Sequence, residues 1–167
     1  WATYYGGVGF DRSGGCAVDP TGNVYLSGHS SAISANTVLC TPGAFQQFQS
    51  GGWDAFLAKF NSSGVRQWGT LYGTGVSDYS SDCTVDPSGN VFLIGFTIDP
   101  LGNVFATSGA HQTVAAGDIE GFVAKFSPGG ARLWGTYYGG DKRDYMISGS
   151  ADASGNVYVT GGTESTV

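Results

Sequence analysis

Three aspartates recur at one place in a repeating pattern, each of them ten residues after a tryptophan. They are Asp11, Asp78 and Asp144. Carboxylates gathered at one site bind a hard cation such as Ca²⁺, or a polar ligand. The same side chain also caps its own loop when it accepts hydrogen bonds from backbone N–H groups. Both interpretations predict that these aspartates occupy equivalent positions in successive structural units.

A second candidate is Trp53 in "GGWDAF", which lies at the end of a loop and is replaced by Ile119 in the next copy of the pattern. An exposed indole ring of this kind suits stacking on a sugar ring. The other tryptophans recur in register, at Trp1, Trp68 and Trp134, and are predicted to pack between structural units.

The residues that catalysis needs are sparse. The chain has two histidines, His29 and His111, in unrelated sequence contexts. It contains no GxSxG elbow, no HExxH and no phosphate-binding glycine loop that leads into a helix. Asp118 and Glu120 share a loop and offer a pair of carboxylates for glycosidase chemistry, but their spacing does not discriminate. We therefore predict no catalytic residues and a protein that is not an enzyme.

The elements that position these residues are internal repeats. The heptad "WATYYGG" at Trp1 returns as "WGTLYGT" at Trp68 and as "WGTYYGG" at Trp134, at intervals of 67 and 66 residues. The segments "CAVDPTGNVYLSG", "TPGAFQ" and "WDAFLAKFNSSGVRQ" recur with the same period. The sequence therefore predicts two full repeats, 1–67 and 68–133, and a partial third, 134–167.

Each repeat has the signals of four antiparallel β-strands. Runs rich in Val, Tyr, Phe and Thr are separated by turn sequences such as "DPTGN" and "FNSSGV", in which Asp or Asn caps the turn and Gly takes a positive φ. The strands predicted in the first repeat are 13–19, 23–29, 54–60 and 65–73. Asp19, Asp86 and Asp152 are expected to serve these turns, and Asn61 in "NSS" is interpreted as a turn residue rather than a glycosylation site.

Strands with apolar residues on both faces indicate sheets that are covered on both sides. We predict an all-β fold in which four-stranded blades of a β-propeller follow one another. About two and a half repeats make an incomplete, open propeller or part of a larger ring. The long connectors would then lie at one end of the blades, and the recurring aspartates near the tops of the innermost strands.

The motifs "WGTYYGG", "VDPSGNVFLIG", "TPGAFQ" and "DAFLAKF" resemble the SBBP repeat, a seven-bladed β-propeller repeat related to NHL-type repeats. This resemblance extends over essentially the whole chain. It implies a propeller fold and a large secreted or cell-surface parent protein, and it implies no particular activity.

Composition narrows the classes of partner. A net charge of −6 argues against binding of nucleic acid, and no apolar run is long enough to span a membrane. The few charged residues, 12%, are typical of a surface of Gly, Ser, Thr and Asn, as in secreted β proteins, so we expect an extracellular location. Cys16 and Cys83 are interpreted as small buried thiols, with a Cys16–Cys40 disulfide as the alternative.

Three functions follow from these observations. The first is a non-catalytic structural or binding module that presents loops to surface proteins, to identical copies or to other blades of a longer chain. The second is a carbohydrate-binding propeller, and the third is a fragment of a polysaccharide-active enzyme. No cofactor is expected, unless Ca²⁺ binds at the recurring aspartates.

Overall fold

The computed structural model describes residues 1–31, 38–98 and 105–166, and its regular structure consists of antiparallel β-strands. The strands are β1 (Asp11–Val18), β2 (Val24–Ser30), β3 (Asp54–Phe60), β4 (Arg66–Tyr72), β5 (Asp78–Val85), β6 (Val91–Thr97), β7 (Glu120–Phe126), β8 (Arg132–Tyr138), β9 (Asp144–Ala151) and β10 (Val157–Thr163).

The strands form three sheets in which chain neighbours pair. Sheet 1 has the order β1-β2-β3-β4, sheet 2 the order β5-β6-β7-β8, and sheet 3 contains β9 and β10. The prediction of an all-β fold with repeated four-stranded antiparallel sheets is confirmed, and the four strands predicted in the first repeat match β1 to β4 within two residues at each end. Closure of these sheets into a ring stays a prediction.

The tight turns form where the sequence predicted them. In the turn after β1, the Gly22 N–H donates to the Asp19 carbonyl at 2.9 Å, and Gly22 has a φ of 81°. This φ lies in the left-handed region that only glycine enters without strain. The carboxylate of Asp19 accepts from the backbone N–H groups of Thr21 and Asn23. Asp86 and Asp152 bind their own turns in the same way.

The sheets pack face to face, and two of the apolar cores are each shared by two neighbouring sheets. Tyr25 and Leu57 of sheet 1 pack with Leu93 and Phe122 of sheet 2. A second core joins sheet 2 to sheet 3 and contains Phe92, Ile94, Met146, Val157 and Val159. Sheet 2 is therefore covered on both faces, as the apolar pattern of its strands predicted.

The tryptophan heptads connect one sheet to the next. The second heptad, which begins at Trp68, forms most of β4, and the Trp68 indole N–H donates to the Pro128 carbonyl in a turn of sheet 2 at 2.9 Å. The Trp1 indole N–H donates to the Ser62 carbonyl of sheet 1 at 3.0 Å. Trp68 therefore packs between sheets as predicted, whereas Trp1 is 63% exposed and contacts a turn of sheet 1, so the prediction for Trp1 is not confirmed. Trp134 is partly buried beside the core between sheets 2 and 3.

The three cysteines are free thiols, so the Cys16–Cys40 disulfide is absent from this structure. Cys83 is buried as predicted, but the prediction for Cys16 is wrong, because its side chain is exposed. Cys83 packs between sheets 1 and 2, whereas no described sheet covers the equivalent face of β1. Within the described ranges, no helix is long and apolar enough to cross a membrane.

Candidate functional site

Asp11, Asp78 and Asp144 are the first residues of β1, β5 and β9, at the end of the sheets that also carries the long connectors. We call this the connector end. Each carboxylate accepts a hydrogen bond from the backbone N–H four residues earlier, at 2.8 Å from Gly7, 2.6 Å from Thr74 and 2.7 Å from Gly140. Loop capping is therefore observed at all three positions.

The same aspartates were predicted as possible ligands of a cation. No group of three or more His, Cys, Asp or Glu side chains suited to a metal occurs in the part of the chain that the structure describes. A cation can also be held by two carboxylates together with hydroxyl or carbonyl oxygens, and the absence of a larger group does not test such a site. A cation site at these aspartates therefore stays a prediction.

Two of the aspartates belong to a repeated arrangement that we call the carboxylate clamps. The first clamp contains Gln46, Asp54, Gly73 and Asp78. The Gln46 side chain donates from Nε2 to Asp54 at 2.7 Å and accepts at Oε1 from the Gly73 N–H at 2.8 Å. It therefore ties the long connector of sheet 1 both to the start of β3 and to the link that leads into sheet 2.

The second clamp contains Gln112, Glu120, Gly139 and Asp144. Gln112 donates to Glu120 at 2.7 Å and accepts from the Gly139 N–H at 3.0 Å. Glu120 also accepts from the backbone N–H groups of Ala116 and Gly117, both at 3.0 Å. All four carboxylates in the two clamps belong to buried residues.

The glycine in each clamp is required by the close approach of the carboxylates. A Cβ atom on Gly73 would lie 2.5 Å from the Asp54 Cγ. A Cβ atom on Gly139 would lie 2.5 Å from the Glu120 Oε1 and 2.6 Å from the Asp144 Oδ2. The glycine at the sixth position of the aromatic heptad therefore leaves room for the clamp carboxylates, and at Gly139 a carboxylate of one sheet lies next to a carboxylate of the following sheet.

Burial dominates the electrostatics of the first clamp. It raises the pKa of Asp54 to about 6, against hydrogen bonds that lower this pKa. Burial likewise raises the pKa of Asp78 to about 6, and the negative charge of Asp54 adds to this increase. At Asp144, burial also acts to raise the pKa, but hydrogen bonds from Thr163, Gly140 and Ser165 outweigh it and lower the pKa.

Trp53, the predicted sugar-stacking residue, is half-buried and begins a series of aromatic contacts at the connector end. Its ring centroid lies 5.3 Å from that of His29, which lies 4.9 Å from that of Tyr79. The series continues through Phe96 to Tyr145, with centroids 5.2 and 5.1 Å apart. Partly exposed rings from all three sheets are therefore in contact.

Charge is added to this series by Arg12, whose guanidinium carbon lies 5.8 Å from the centroid of the Trp53 ring. Burial lowers the pKa of His29, and the charge of Arg12 acts in the same direction, against a backbone hydrogen bond involving Ser80. The imidazole is therefore neutral at pH 7, and its burial within the series indicates packing rather than acid–base chemistry.

The carboxylates considered for glycosidase chemistry occupy different environments. Asp118 is exposed, whereas Glu120 is buried and bound to three donors of its own loop. Asn61 accepts from the backbone N–H groups of Ser63 and Val65, as its interpretation as a turn residue predicted.

Sequence reasoning missed the clamp residues Gln46, Asp54, Gln112 and Gly139 as a unit. Their recurrence was visible in "TPGAFQ" and "TSGAHQ", in "WDAF" and "IEGF", and in the glycine at the sixth position of each heptad. The spatial link between these three segments could not be read, because the long connectors join them in an irregular conformation.

Equivalent residues of the repeats differ in exposure between the inner faces, which pack on another sheet, and the two outer faces of the molecule. Tyr25 of β2 is 0% exposed and donates its hydroxyl to the Gly89 carbonyl of sheet 2 at 3.1 Å. Tyr158 occupies the equivalent position in β10 and is 61% exposed. On the opposite side of the molecule Val18 of β1 is 60% exposed, whereas its equivalent Val85 packs against the core between sheets 1 and 2.

In comparisons with known proteins, no family model and no curated protein matches this chain. The resemblance to the SBBP repeat therefore stays a prediction from the motifs.

Proposed function

We propose that this chain is a non-catalytic scaffold that associates with a second copy of itself, sheet face against sheet face. The observation that supports the proposal is the contrast between Tyr25 and Tyr158. The same side chain is buried where another sheet packs on it and exposed where none of the described sheets does. Large exposed apolar side chains mark interaction surfaces when they cluster at one face.

The complementary surface lies on sheet 1. Tyr25 meets the turn after β5 and lies near Cys83, whose Sγ is 3.9 Å from the Tyr25 carbonyl. The equivalent surface on sheet 1 consists of Cys16, Val18 and the turn with Gly22. In a head-to-tail contact, Tyr158 of one copy would donate to the Gly22 carbonyl of the other, repeating the internal bond between Tyr25 and Gly89.

Sedimentation velocity over a series of protein concentrations tests this function. We expect concentration-dependent association that the Tyr158→Ser variant loses. Leu133→Gln is the matched control, because Leu133 is exposed to a similar degree on β8 and its equivalent in β4 is Gln67. A monomer at every concentration, or association that Tyr158→Ser leaves unchanged, would contradict the proposal.

The second candidate function is carbohydrate binding at the connector end. The specific observation in its favour is the series of partly exposed rings that begins at Trp53 and crosses three sheets. Stacking of a sugar on an aromatic ring needs such a platform. A glycan array should give signals that Trp53→Ala removes and that Trp1→Ala, a change near the turn containing Ser62, retains. An array without signal would exclude this candidate.

A further inference from the structure

The outer edge of β10 borders a cavity of about 230 Å³ whose lining includes Tyr138, Tyr145, Met146, Gly161 and Gly162. In the described ranges, β10 pairs with β9 alone, so its other edge is open. An open edge presents backbone N–H and C=O groups that accept another strand.

The other two sheets show which side chain fills this position. Gly161 is equivalent to Gly28 of β2, which pairs with Phe56, and to Gly95 of β6, which pairs with Phe122. A Cβ on Gly28 would lie 2.5 Å from the Phe56 Cζ, and a Cβ on Gly95 would lie 2.9 Å from the Phe122 Cζ. In both sheets the bare glycine therefore makes room for a phenyl ring of the third strand.

A tyrosine from the preceding heptad packs against each of these phenyl rings. The ring centroids of Tyr5 and Phe56 lie 5.5 Å apart, as do those of Tyr72 and Phe122. Tyr138 is the equivalent tyrosine at the cavity; it is 52% exposed, and His111 stacks on its ring. The aromatic neighbour of the missing phenyl ring is therefore already present.

The strand register also predicts a lysine in the segment that would pair with β10. Lys59 pairs with Tyr25 and places its Nζ 5.2 Å from the centroid of that ring, and Lys125 pairs with Phe92 at 4.7 Å. The equivalent ring in sheet 3 is that of Tyr158. Each third strand also begins with a carboxylate, two residues before the Phe.

We propose that the edge of β10 binds an extended segment with the pattern Asp/Glu, small residue, Phe, two apolar residues and Lys. The Phe would enter the cavity beside Tyr138 and Gly161, the Lys would lie over Tyr158, and the backbone would add antiparallel to β10. This is recognition by strand addition, in which main-chain hydrogen bonds give affinity and the side-chain pocket gives specificity. The groove borders the sheet face used in the proposed self-association, and the two surfaces share Tyr158, as Tyr25 both donates to Gly89 and contacts Lys59 within the chain.

A synthetic peptide with the sequence of residues 53–60, WDAFLAKF, is the probe. We expect it to bind the full chain and to protect the backbone N–H groups of β10 from hydrogen exchange. Replacement of the first Phe of the peptide, at its fourth position, by Ala should weaken binding by at least about tenfold, because the apolar area of this phenyl ring would no longer be buried in the cavity. A peptide with the sequence of β4, RQWGTLY, is a control that forms strands but lacks the pattern.

The protein variant Tyr138→Ala should weaken peptide binding with no loss of thermal stability, since this ring is half exposed, and Leu133→Gln should bind as the parent does. The inference is overturned if WDAFLAKF does not bind, if the β4 peptide binds equally well, or if the Phe→Ala peptide loses nothing. If the chain self-associates but does not bind WDAFLAKF, strand addition at β10 is wrong and the proposed self-association stands. Peptide binding by a strictly monomeric chain would overturn the self-association alone.

Discussion

The two carboxylate clamps follow one plan but satisfy their carboxylates differently. In the second clamp both oxygens of Glu120 accept hydrogen bonds, one from Gln112 and the other from two backbone N–H groups. In the first clamp the Asp54 Oδ2 accepts from Gln46 and Ser50, while Oδ1 is buried without a partner among the described residues.

One methylene group accounts for this difference. The longer Glu side chain turns one oxygen to Gln112 and the other to the N–H groups of Ala116 and Gly117. In the shorter Asp54, Oδ2 accepts from both Gln46 and Ser50, so that Oδ1 is desolvated without compensation. Leaving a buried polar atom unpaired costs about 1–3 kcal/mol. The comparison shows that the two repeats keep the same backbone arrangement around the carboxylate. The length of one side chain then decides whether both oxygens of the charged carboxylate are hydrogen-bonded.

The difference between the two clamps is tested most directly by removal of the side-chain amide of Gln46 or Gln112. Gln46→Leu leaves the charged, buried Asp54 with the N–H of Ser50 as its remaining hydrogen bond, so we expect a loss of about 2–3 kcal/mol in unfolding free energy at neutral pH. Gln112→Leu leaves Glu120 two backbone donors and should cost about 1–2 kcal/mol.

Urea unfolding of both variants beside the parent protein measures these losses. Equal losses, or a larger loss for Gln112→Leu, would show that the extra backbone donors at Glu120 do not compensate for the amide.

The dependence of stability on pH sharpens the same comparison. The folded-state pKa values of Asp54 and Asp78 are raised to about 6, above the usual range of unfolded aspartate, so the native state takes up protons before the unfolded state does. The unfolding free energy should therefore rise as the pH falls from about 7 to about 5, by about 1–2 kcal/mol. Asp54→Asn should reduce this rise.

At lower pH the turn aspartates reverse the trend. Burial alone would raise the pKa of Asp19, but hydrogen bonds from Asn23 and Thr21 lower it to about 2. Its contribution to stability is present above the unfolded pKa and is lost as the pH falls through the folded one. Unfolding by urea at a series of pH values should show a maximum near pH about 4–5; a stability that only falls from pH 7 downward would contradict the raised pKa values of the first clamp.

The sequence predicted the fold far better than the site. Strand bounds and turns were readable because their signals are local: Gly22 needs only a positive φ, and the alternation in β2 needs only its own residues. The caps at Asp11, Asp78 and Asp144 were one of two alternatives for the same reason. The clamps join three segments up to 32 residues apart in the chain, from Gln46 to Asp78, and the exposure of Tyr158 depends on which sheets surround it, so neither follows from local pattern.

The smallest expected effect tests why Asp144 differs from Asp78. The Ser165 hydroxyl donates to the Asp144 Oδ2 at 2.9 Å and accepts from the Lys142 N–H at 3.0 Å. Ser165→Ala removes both bonds and should cost about 0.5–1.5 kcal/mol at neutral pH. Because the lowered pKa of Asp144 stabilises the native state only while the carboxylate is charged, the cost should shrink as the pH falls below the usual pKa of aspartate.

Thermal unfolding of Ser165→Ala at neutral and acid pH measures this change, with Ser154→Ala in the exposed turn after β9 as the matched control. A cost that is independent of pH would mean that Ser165 acts through the Lys142 N–H alone. The difference between Asp144 and Asp78 would then rest on Thr163, Gly140 and the depth of burial, rather than on the hydroxyl that sheet 3 adds to its cap.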